Sequence, residues 1–144
     1  MAQPDIGDKA GFVILWFESV KFGNAPDAVP FKEVEVNLEN IVREGRFGFL
    51  SMLTYGVNWE YNKVSINGTE IGSLHITTSY EWRVDTFVVP TDIIHDGINT
   101  FRIESGKRTG PYTDPAVDDI DDFEVKDPIL FFAVPSPPPP PIKK

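Results

Sequence analysis

Between residues 31 and 38 the chain reads FKEVEVNL, a strict alternation of apolar and polar side chains. That is the pattern of a strand with one face in a core and the other in water. Short runs of this period, each cut by turn residues, recur through the 144 residues. Helical spacing over a stretch long enough for an amphipathic helix does not occur. The pattern therefore predicts an all-β fold, and the spacing of the turns points to two antiparallel sheets in a β-sandwich.

The individual runs fill in this expectation. FVILWF (12 to 17) is a continuous apolar run and reads as a strand buried on both faces. In 31 to 38 the inward set is Val34, Val36 and Leu38. RFGFLSMLTYGV (46 to 57) alternates with Leu50 and Met52 on one side and Phe47, Phe49, Ser51, Leu53 and Tyr55 on the other, so both its faces look covered. NKVSINGTEIG (62 to 72) brings two alternating runs together at Asn67-Gly68, the strongest short-range signal for a hairpin, because a type I′ turn needs positive φ at both central residues. SYEWRVDTFVVP (79 to 90) is ended by Pro90, and a turn at Asp96-Gly97 leads into a strand holding Ile98, Phe101 and Ile103. In FEVKDPILFFAV (123 to 134), Pro128 predicts a bulge or a sheet edge. The count is about eight strands.

Residues 1–10 read as an N-terminal segment, 11–134 as one domain, and 135–144 as a proline-rich tail that runs extended, since consecutive prolines fix φ and donate no hydrogen bond.

Charge and composition narrow the function. Lys plus Arg number 13 against 22 Asp plus Glu, a net charge of −9, so a grip on phosphate backbones would work against the overall field and no nucleic acid is expected. The absence of cysteine removes disulfides, thiolate zinc sites and thiol nucleophiles together. The first residues lack a basic start, and the run 12 to 17 is too short for a signal core or a membrane span. The chain is expected in the cytoplasm at synthesis. No G-x-S-x-G elbow or phosphate-cradling glycine loop occurs, and His75 and His95 read as ordinary strand and turn residues, so an enzyme is not expected.

Two stretches invite a ligand. Asp114, Asp118, Asp119, Asp121 and Asp122, with Glu124, crowd hard oxygen donors into eleven residues, a set that calcium would suit although it lacks the EF-hand glycine and spacing. Exposed aromatics interleaved with amides and charges suit sugars, whose C–H faces stack on rings while their hydroxyls take polar partners. The candidates are Trp59, Tyr61, Tyr80, Arg83 and Tyr112, while Trp16 and Trp82 are assigned to the core.

From Tyr55 onward, the hairpin V-x-I-N-G-x-x-I-G (Val64 to Gly72) and the run P-x-x-I-I-x-x-G-x-N-x-F-x-I (Pro90 to Ile103) are together similar to the galactose-binding-like jelly roll of carbohydrate-binding modules and glycosidase accessory domains. The resemblance implies a two-sheet jelly roll in which Ile94 plugs one end, Trp82 is a buried anchor, and a structural calcium sits near the rim. It also implies a non-catalytic carbohydrate-binding function. The alternative is a structural subunit of a virion or extracellular filament, in which the domain packs with copies of itself or with a protein partner through its tails.

Overall fold

The computed structural model describes residues 9–38, 47–77, 81–90, 92–106, 120–134 and 142. Among the described residues nine strands make two antiparallel sheets: β1 (Lys9–Ile14), β2 (Val20–Phe22), β3 (Phe31–Leu38), β4 (Phe47–Tyr55), β5 (Lys63–Ile66), β6 (Thr69–Ser73), β7 (Arg83–Pro90), β8 (Gly97–Glu104) and β9 (Phe123–Val134). One sheet runs β1-β9-β4-β7, with β2 also paired to β9; the other runs β3-β8-β5-β6. The architecture is a β-sandwich, and among the described residues no helix is long and apolar enough to cross a membrane.

The core lies where the inner faces meet. Leu50, Met52, Phe87, Val89, Val125 and Leu130 come from the larger sheet and Leu38, Val64, Ile66, Phe101 and Ile103 from the smaller, all buried. Each is the inward member of an alternating run, so burial follows the pleat. Ile94, in the connection between β7 and β8, is 2% exposed. At the opposite end the rings of Phe22 and Phe123 stack with centroids 4.8 Å apart and planes 5° apart.

Turn chemistry holds as expected at Asn67-Gly68, where φ is 51° and 82° and β5 pairs with β6. No Cβ clash bars a side chain at Gly68, so it is the positive φ that selects glycine. The break expected at Pro128 is also present: Asp127 has φ of 50°, and the β4–β9 register shifts between Ser51 and Leu53.

Three expectations are corrected. β1 ends at Ile14, and Phe12 and Phe17 are 66% and 72% exposed, because β1 lies at the margin of its sheet with one face outward. β4 is buried on one face only: Leu50 and Met52 point inward, while Phe49 is 41% exposed. In β7 the inward set is Asp85, Phe87 and Val89, so Trp82, preceding the strand, is exposed and not a buried anchor. Apolar residues occupy both faces of that strand, and period 2 alone does not choose between them.

Candidate functional site

One end of the sandwich is assembled around the buried side chain of Asp121. Its Oδ2 accepts hydrogen bonds from the backbone N–H groups of Asn58 (2.9 Å) and Trp59 (3.0 Å) and from Asn62 Nδ2 (2.7 Å), while Oδ1 accepts from Asn58 Nδ2 (3.1 Å). The backbone joins in: Ser105 Oγ donates to the Asp121 carbonyl, and Asp121 N–H donates to Gly106 O at 3.1 Å. Asn62, itself fully buried, accepts from Gly106 N–H at 2.8 Å. Four donors on one carboxylate tie the β4–β5 loop to the approach to β9, and their charge-assisted bonds offset the desolvation of a buried acid.

Beside this hub opens a cleft of about 250 Å³. Phe22 and Phe123 line it together with Tyr55, Asn58, Asp122 and Glu124, and Lys21 and the small side chains of Ala25 and Ala28 complete it. The loop after β2 is held by Asp122, whose Oδ1 accepts from Asn24 N–H at 2.9 Å. Gly23 has φ of 129°, and a Cβ there would fall on Asp122 Oδ1, so glycine is required for the loop to pass so close. A second cleft, about 560 Å³ and lined by Asn24, Pro30, Glu104 and Ser105 among others, lies across the same loop.

Electrostatically the cleft carries both signs. Lys21 Nζ bonds Asp27 Oδ2 at 3.0 Å on the surface. This hydrogen bond holds the Asp27 carboxyl below its ordinary range and raises the Lys21 ammonium above its own, with their Coulomb attraction acting the same way. Lys21 therefore presents a fixed positive charge at the cleft wall across the neutral range.

An aromatic pair stands at the same end of the larger sheet. Tyr55, in the cleft wall, and Trp82 lie with ring centroids 5.5 Å apart at 40°, and Trp82 is 42% exposed.

The sequence candidates are distributed unevenly about this site. Trp59 is half-buried and Tyr61 is 48% exposed, both on the β4–β5 loop. Arg83 is exposed at the start of β7, and lines a separate small cleft with His75 and Asp85. Tyr80, Tyr112, Asp114, Asp118 and Asp119 lie outside the described residues. Asp121 turns its carboxylate inward to protein donors, and Asp122 is exposed beside the cleft. Among the described residues no group of three or more His, Asp or Glu is placed to hold a metal ion. His75 Nδ1 meets the buried Asp85 carboxylate at 2.5 Å, and the same carboxylate accepts from His75 N–H at 2.8 Å, so the pair holds the turn after β6 onto β7.

Sequence reasoning passed over Tyr55, Asn58 and Trp82 as site residues. Tyr55 and Trp82 sit in alternating runs that look like core strands, and Asn58 gains its role only from a partner 63 positions away. No family model matches this chain, and a comparison with curated proteins finds no match.

Proposed function

We propose that the chain is a non-catalytic binding module of the galactose-binding-like jelly-roll type that takes a carbohydrate at the cleft beside Asp121. The observation that carries this reading is the Tyr55–Trp82 pair, in which Tyr55 lines the cleft with an amide, two carboxylates and an ammonium and the half-exposed Trp82 packs against it. A sugar ring laid on Trp82 gains from apolar C–H contact with the indole, and its hydroxyls reach Asn58, Asp122, Glu124 and Lys21 for orientation. The cleft is small against the roughly 300–1,000 Å³ of drug-sized ligand pockets. It fits one ring of a glycan, with the remainder of the chain in solvent. Rigidity comes from the Asp121 hub, which fixes the Asn58 amide before any ligand arrives.

Affinity electrophoresis across common polysaccharides, followed by calorimetry on any that retard the protein, tests the reading. Trp82→Ala and Tyr55→Ala should each weaken binding by at least ~10-fold, the scale of one lost ring contact. Silence of the wild-type chain across the panel, or binding untouched by both substitutions, would reject it.

A further inference from the structure

The outward side of the larger sheet is built like an interior. β4 and β9 place Phe49 opposite Phe131, β1 adds Phe12 opposite Phe131, and β7 adds Val88 opposite Phe49, giving one apolar row across four strands. The rings of Phe12 and Phe131 are 6.4 Å apart. The next row is Ile129, Ser51 and Thr86, and the two hydroxyls bond each other at 3.1 Å. Below it Leu53 faces Val84. The exposures are large: Val84 69%, Phe12 66%, Val88 55%, and Phe49 and Phe131 41% each. A shallow groove of about 240 Å³ runs between β4 and β9, where the bulge at Asp127 opens the sheet.

We propose that this face is the contact of a homodimer, in which each copy lays Phe12, Phe49, Val84, Val88, Ile129 and Phe131 against the same patch of the other across a two-fold axis. Size supports this occupant. The patch amounts to on the order of 500 Å² of apolar surface, at the top of what a monomer commonly leaves in water and the right scale for the centre of an interface burying ~800 Å² per partner. Charge supports it further. At net −9 two copies repel over most approaches, and the other sheet presents Glu33, Glu35 and Glu104 on its outer side. Among the described side chains the rows from Phe12 to Val88 and from Ile129 to Thr86 hold no charge, while Asp127 lines the groove and Lys126 and Arg83 stand at the lower margin. Two apolar sheet faces pack ~10 Å apart as the layers of a sandwich do. An acidic chain is a poor match for anionic lipid. The proposal is independent of the sugar site, which occupies the Tyr55–Trp82 end.

Sedimentation velocity of the full chain from ~1 to ~100 µM reads the outcome. The expected result is a concentration-dependent dimer. Val84→Lys and Val88→Lys, both on the solvent side of β7, should each raise the dimer dissociation constant at least ~100-fold, because an unpaired ammonium is buried in each copy. Their circular dichroism should match wild type, and Glu35→Lys on the other sheet should leave the dimer intact. If one lysine variant misfolds, the other carries the test, and if both do, the wild-type concentration series does. A chain monomeric throughout, folded lysine variants that still dimerise, or a monomer that instead co-sediments with phosphatidylcholine vesicles would overturn the proposal.

Discussion

The two ends of the sandwich are closed by different means. At the hairpin end, Asn67 N–H donates to Thr100 O, Thr100 N–H returns a bond to Asn67 Oδ1, and Asn67 Nδ2 reaches Ile93 O and Asn99 Oδ1. Asn99 is fully buried and spans its own turn, donating to His95 O and Gly97 O and accepting from His95 N–H. Neutral amides do this, Asn99 within its own turn and Asn67 to partners 26 to 33 positions away. At the cleft end a single buried carboxylate does the equivalent work with partners 59 to 63 positions away. An end closed by several neutral amides spreads its bonds over two turns, whereas an end built on one charge depends on that one side chain. The cleft proposed to take a sugar lies at the second kind of end, where loops from distant strands converge.

Removing the charge should therefore be the harshest change. Asp121→Ala orphans the buried Asn62 amide and the part-buried donors of Asn58 and Trp59 and should cost ~3–5 kcal/mol, read as the shift in urea midpoint. A loss under ~1 kcal/mol would mean that the hub does not hold that end. At the other end Asn99→Ala spreads its damage over turns that keep their own geometry, and ~2 kcal/mol is expected. Should it exceed the loss at Asp121, the contrast between the ends is reversed. Gly68→Val puts a β-branched residue at positive φ and should destabilise by more than ~1 kcal/mol. Coincident urea midpoints of variant and wild type would remove the turn as a determinant of that end. The smallest effect belongs to the surface pair at the cleft: Lys21→Ala should leave the midpoint unmoved, since an exposed ion pair is screened by water. Its signature is chemical, because without the Lys21 hydrogen bond the Asp27 carboxyl should titrate at higher pH, followed by NMR. An unchanged Asp27 titration would mean that the ammonium does not face it in solution.

A second contrast concerns the two outer faces. On the smaller sheet, Arg102 lies over the Phe31 ring at 3.9 Å to its centroid and bonds Glu104 at 3.3 Å, with Glu33 at 3.8 Å. That face reads as charged in the sequence because Glu33, Glu35 and Asn37 alternate with Val34, Val36 and Leu38, and the observed burial follows that alternation. The larger sheet offers no such signal. In β7 and β9 both alternating sets contain apolar residues, so which set faced the core was set by neighbouring strands, and Trp82 went outward with the solvent set.

The sequence by itself determined the all-β class, the hairpin at Asn67-Gly68, the inward face of β3 and the break near Pro128, because each rests on φ preferences or on polar–apolar alternation within a few residues. Tertiary structure alone decided that Asp121 turns inward among Asn58, Trp59 and Asn62, that Tyr55 and Trp82 meet beside a cleft, and that the larger sheet keeps an apolar face in solvent. The reason is range. A turn states its requirement in its own residues, whereas a carboxylate's partners and a strand's solvent side depend on chain that arrives from sixty positions away, and no local pattern encodes that arrival.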